Sequence, residues 1–105
     1  MEFHTSQGKK EFPDGKSVKF KELEISTGHS VRITIRIYPS NTFVTYLNDY
    51  KHIAKVLYKA PHSDAQKNMG DWLEKTFSRM RLRVGGQEFV SVMSMYWKLV
   101  KEPII

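Results

Sequence analysis

The residues with an evident chemical use in this chain are cations, and the chemistry they suit is holding phosphate. Lys75, Arg79, Arg81 and Arg83 form a run with no acid inside the arginine cluster, and Lys51, Lys55 and Lys59 recur every four residues. Like charges at that spacing on a helix repel by a few tenths of a kcal/mol per pair, so such a ridge costs stability unless an anion compensates it. A third basic group, Arg32 and Arg36 with Tyr38, falls at every second or fourth position of one segment, and Tyr96 and Lys98 repeat the mixture near the C-terminus. Cations interleaved with aromatic rings suit single-stranded nucleic acid, because the cations track phosphates and the rings offer stacking surfaces. Arginine favours that use over lysine, since its planar fork matches phosphate geometry.

Catalytic patterns fail on spacing. Gly15-Lys16-Ser17 resembles the end of a phosphate-binding loop, but that motif needs a glycine where this chain has Lys10 and a helix where a β-like pattern begins. His4, His29, His52 and His62 lie 25, 23 and 10 residues apart, so no pair shares a helix face in the manner of metal ligands. His62-Ser63-Asp64 are neighbours in line, whereas a nucleophile–base relay needs side chains converging from different elements. Ser63 reads instead as a helix cap with Asp64 as a first-turn anion. The expectation is a protein that is not an enzyme and holds no metal or cofactor.

These candidates need elements to position them. Val31, Ile33, Ile35 and Ile37 alternate with Arg32, Thr34, Arg36 and Tyr38, which predicts a strand with its β-branched residues on one face and its cations on the other. A preceding strand over 17–26 makes an antiparallel hairpin, 17–38, with a bulge near Lys21-Glu22 to absorb a phase slip between Phe20 and Leu23. Phe12-Pro13-Asp14-Gly15 is a turn, and residues 1–16 form a flexible arm or an edge strand. Pro39-Ser40-Asn41 ends the hairpin. Phe43, Leu47, Tyr50, Ala54 and Leu57 predict a helix over about 42–60, although Thr42 to Tyr46 are β-formers. Ala65, Met69, Trp72, Leu73, Thr76, Phe77 and Met80 predict a second, amphipathic helix over about 63–78. Gly85-Gly86 fits a two-residue turn that pairs Val84 with Gln87, Arg83 with Glu88 and Leu82 with Phe89, giving a C-terminal hairpin, 79–100, which would place Arg79, Arg81 and Arg83 on one face with Tyr96 and Lys98. The period of Phe89, Val92, Met93, Tyr96 and Val100 also fits a helix.

The resulting expectation is a small single α+β domain, residues 17–105, with an antiparallel sheet made of the two hairpins and covered by two helices. Composition agrees with a folded soluble chain: 40% of the 105 residues are hydrophobic, 27% are charged, and the net charge is +6. The first 52 residues carry +2 and the remainder +4. Cysteine is absent, which removes disulfides, thiolate metal sites and cysteine nucleophiles. No apolar run approaches the roughly 20 residues of a membrane span, and the first residues resemble neither a secretory signal nor a transit peptide, so the expected location is cytoplasmic with no membrane partner. Two functions fit. One is a small basic protein that binds nucleic acid, single strands in preference, through the cations above with Tyr38 or Tyr96 stacking. The other is an interaction protein that modulates or inhibits a partner with an acidic surface, using the soft set Met69, Met80, Met93, Met95, Trp72 and Trp97 as a docking patch. A last strand left as an exposed edge would also permit a homodimer.

Overall fold

The alternation around Ile35 becomes the centre of a five-stranded antiparallel meander. The computed structural model describes residues 2–26, 31–48, 53–58, 64–79 and 86–104. Its strands are β1 (Glu2–Glu11), β2 (Ser17–Ser26), β3 (Arg32–Tyr38), β4 (Thr42–Asn48) and β5 (Ile53–Tyr58), and they lie side by side in chain order. Two helices follow, α1 (Ala65–Arg79) and α2 (Gly86–Lys101). The chain is a small α+β domain, with β1 and β5 as the free edges.

The segment 1–16 is an edge strand plus a turn: β1 pairs with β2 from Glu2↔Ser26 to Glu11↔Ser17. The turn is held by Gly15 N–H donating to Phe12 O at 3.0 Å and Lys16 N–H donating to Asp14 Oδ1 at 2.9 Å. Gly15 has φ +85°, which a side chain would strain. That register runs without interruption, so there is no bulge at Lys21-Glu22. The phase slip has a different cause: Leu23 and Ile25 share one face with Lys21, whereas Val18 and Phe20 belong to the other.

The helix expected over 42–60 is not formed. Ser40 (φ 64°) and Asn41 (φ 53°) turn the chain in left-handed geometry directly into β4, which pairs Tyr38↔Thr42 through Arg32↔Asn48 with β3. β5 then pairs with β4. The hairpin expected over 79–100 is likewise replaced. Arg79 is the last residue of α1, Gly86 the first of α2, and 80–85 lie outside the described residues. Val92, Tyr96 and Leu99 are fully buried at spacings of four and three, a helical period that sixteen residues can sustain and a strand cannot. The second expected helix is present as α1, with Ala65, Met69, Leu73 and Phe77 buried on its stripe. Ser63, its expected cap, lies outside the described residues.

Both helices lie on one face of the sheet. Leu23 and Ile25 of β2, Ile33, Ile35 and Ile37 of β3, and Phe43 of β4 meet the buried stripes of α1 and α2 there. The buried Thr45 hydroxyl donates to the Met69 sulfur. Lys21, 4% exposed, sits on this face as well. Its ammonium donates to the carbonyls of Val100, at 2.9 Å, and Glu102, where the end of α2 presents unsatisfied acceptors and the negative pole of the helix.

Tyr96 is fully buried and donates its hydroxyl proton to the Gln66 carbonyl, so it packs α2 against α1 and is not a stacking surface. Burial, and then the Asp71 carboxylate, raise its phenol above the ordinary 10.0. A folded-state pKa above the unfolded one gives a stabilisation complete below pH ~10 and lost as the pH climbs from the unfolded value towards the folded one. Burial moves the Lys21 ammonium the other way, below 10.5, so that group adds stability as the pH rises from its lowered pKa to 10.5. Tyr96→Phe loses the hydroxyl bond, about 1 kcal/mol, at neutral pH. Because the variant escapes the alkaline penalty of about 1.4 kcal/mol per pH unit, thermal melts of the two proteins should reverse order near pH ~11. An order unchanged to that pH would show that the buried phenol is not the group that titrates.

Candidate functional site

The sheet face turned away from the helices gathers part of the expected basic and aromatic set. On β3, Arg32, Thr34, Arg36 and Tyr38 point there, opposite the isoleucines, and register adds Val44 and Tyr46 from β4 and Lys55 and Leu57 from β5. From β1 and β2 it receives Gly8, Lys10, Val18, Phe20, Glu22 and Glu24. Gly8 is required by its neighbour. The Phe20 ring lies over it so closely that a Cβ at position 8 would stand 2.6 Å from Cζ of that ring. The same ring carries the Arg36 guanidinium, 4.5 Å from its centroid, and Tyr38 packs on it at 5.3 Å.

Arg36 also lies 5.6 Å from the Tyr46 ring, and its Nε donates to Glu22 Oε1 at 2.9 Å. That hydrogen bond raises the guanidinium pKa against the opposing effect of burial, so Arg36 is a fixed cation stacked between rings. The Tyr38 hydroxyl is buried beside it without a well-aligned hydrogen bond. Arg32 pairs with Glu24 at 3.5 Å. Both arginines of the face are thus matched by carboxylates one strand away, which leaves Lys10 and Lys55 as its cations without a carboxylate within 4 Å among the described residues. Lys10 lies 5.5 Å from the Phe12 ring and Lys55 5.9 Å from the Tyr46 ring.

Lys10 and Lys55 line one shallow concavity of about 320 Å³, with Phe12, Tyr38, Tyr46 and Leu57 among its walls. Phe12 is 42% exposed, and Tyr38 and Tyr46 are half-buried. The arrangement can take a flat, apolar-faced group against the rings and an anion at either lysine.

The other expected site residues are placed elsewhere. Lys55 lies on β5 and not on a helical ridge, and Lys51 and Lys59 fall outside the described residues. So do Arg81, Arg83 and the Arg79 side chain. Lys75 is exposed on α1 and Lys98 on α2, both on the far side of the sheet, so Lys98 shares no hairpin face with the arginines. The last element being a helix, it offers no strand edge to a second subunit. Sequence reasoning passes over Lys10, Phe12, Phe20 and Tyr46; Phe20 alone carries a signal, the alternation of Val18 and Phe20 out of phase with Leu23 and Ile25, which marks apolar residues on both faces of β2, while the other three depend on strand pairing. Among the described residues, no helix is long and apolar enough to cross a membrane. Compared with known proteins, the chain matches no family model, no curated protein and no solved structure.

Proposed function

We propose that this chain is a non-enzymatic protein that binds single-stranded nucleic acid on the uncovered sheet face. The observation that carries the reading is the concavity in which Tyr38, Tyr46 and Phe12 stand between two lysines that have no carboxylate partner among the described residues. Bases stack on exposed rings of a sheet whose other face is packed, and phosphates go to the flanking cations. A duplex keeps its bases stacked inside and cannot use the rings, so single strands are preferred.

The ion pairs set the strength of the electrostatic part. With Arg32 and Arg36 held by glutamates, two lysines meet two phosphates, and log K should fall against log salt with a slope of about −1.4. Fluorescence anisotropy with a labelled oligothymidylate, an RNA of equal length and a duplex tests this. Raising salt from about 50 to about 200 mM should weaken single-strand binding about sevenfold. No binding at the lower salt, or equal binding of the duplex, would overturn the reading.

Glu22 restrains Arg36, so Glu22→Gln should raise single-strand affinity at low salt and steepen the slope by about 0.7 as the guanidinium gains a phosphate. Its cost in stability is expected to stay within about 1 kcal/mol, because the pair is partly solvated. Weaker binding by the Gln variant would mean that the carboxylate, and not the cation, meets the ligand.

A further inference from the structure

The helical side of the molecule carries a second, separate surface. α2 is apolar on two stripes. Val92, Tyr96 and Leu99 face the sheet and are buried, while Val90 and Trp97, two turns apart, point outward and are 61% and 38% exposed. Phe89 and Met93, half-buried, join them along a groove of about 630 Å³ between α2 and Glu74 of α1. A helix apolar on both sides is normally covered on both. The inner edge of the stripe rests on α1, with Phe89 edge-on to Phe77 and the Trp97 ring lying against Gly70, but among the described residues nothing lies over Val90, and Trp97 stays partly open.

The charges around the groove say what would. Lys98 and Lys101 stand at its C-terminal end, and Glu74 is the single acid on its rim among the described residues. At 100° per residue, Glu88 lies about 160° round α2 from Val90, so α2 offers no carboxylate to its own outer stripe. A second copy laid on it through the same stripe would bring lysines and no acid from α2. From Phe89 to Lys101 the stripe runs about 18 Å, three turns of helix. We infer that the groove between α1 and α2 docks an acidic amphipathic helix of a partner protein, about three turns long. Its apolar residues, spaced i, i+3 or i+4, and i+7, cover Val90, Met93 and Trp97, and its acids meet Lys98 and Lys101. The surface is independent of the sheet face, and the protein that uses both would join a nucleic acid to an acidic partner.

A display library of random 14-residue peptides, selected on the whole protein, tests this directly. Enriched sequences should be acidic with helical apolar spacing, and should bind Val90→Asp at least tenfold more weakly. Lys98→Glu with Lys101→Glu should turn the selected preference towards basic peptides. Both variants change exposed side chains, and circular dichroism checks that the fold is kept. Enrichment of peptides without acids, no enrichment, or binding indifferent to Val90→Asp would overturn the inference. So would a sedimenting dimer that Val90→Asp converts to monomer, since a second copy would then be the occupant. Loss of oligonucleotide binding in the sheet-face variants would not bear on any of these outcomes.

Discussion

Lys21→Met is expected to lower stability by about 3 kcal/mol. Methionine keeps most of the volume and removes the ammonium whose two hydrogen bonds serve the end of α2. The carbonyls of Val100 and Glu102 then lose their partner, and each buried acceptor left unpaired costs about 1–3 kcal/mol. Against this stands the relief of a buried charge, which is what lowers the Lys21 pKa. The balance still favours loss, because the helix pole and the carbonyls compensate the ammonium in place and nothing compensates them once it is gone. In a domain of this size 1 kcal/mol is worth about 4–8 °C, so the melting temperature should drop by roughly 12–24 °C. A change below about 1 kcal/mol in urea unfolding would show that solvent reaches the end of α2 and that Lys21 is dispensable.

Gly8→Ala should cost about 2 kcal/mol although it adds one methyl group to an edge strand, where alanine is ordinarily preferred to glycine by about 0.5–1 kcal/mol. The added Cβ meets the Phe20 ring at 2.6 and 2.9 Å. The ring cannot retreat freely, since Arg36 and Tyr38 lie against it. In a Phe20→Leu background, where the outer ring atoms are gone, Gly8→Ala should be neutral or slightly stabilising. The coupling across the cycle is then about 2 kcal/mol, well beyond what independent sites show. Equal costs in both backgrounds would remove the ring as the cause. The same substitution should weaken oligonucleotide binding, because the displaced ring supports the guanidinium that packs near Tyr46.

The two halves of the chain differ in how plainly they announce their fold. β3 is unambiguous: four branched residues at period two cannot share a helix face, so both the strand and the outward turn of Arg32 and Arg36 follow from it. Residues 42–60 read as helix because Phe43 and Leu47 are four apart, an even number, and residues four apart share a face in a strand as well as on a helix. The β-forming run Thr42 to Tyr46 was the discriminating feature. For 86–101 the competing signal was a glycine pair with an agreeable charge register; the core spacing of Val92, Tyr96 and Leu99 outweighs it, since a strand would put Val92 and Leu99 on opposite faces. Half of the site followed from these readings. Arg32, Arg36 and Tyr38 were placed by their alternation. Lys10, Phe12, Tyr46 and Lys55 come to them only through the pairing of β1 with β2, of β4 with β3 and of β5 with β4, and the neutralising partners Glu22 and Glu24 are set by register between strands, which composition does not express.

The central claim is that the uncovered sheet face is where a strand of nucleic acid lies. Amide chemical-shift mapping of the whole protein at about 50 mM salt, titrated with an oligothymidylate, tests it residue by residue. The expected result is a set of concentration-dependent shifts at Lys10, Phe12, Tyr38, Tyr46, Lys55 and Leu57, with α1 and the outer stripe of α2 unmoved. Shifts confined to the helices, or none on the sheet face at saturating oligonucleotide, would contradict the account.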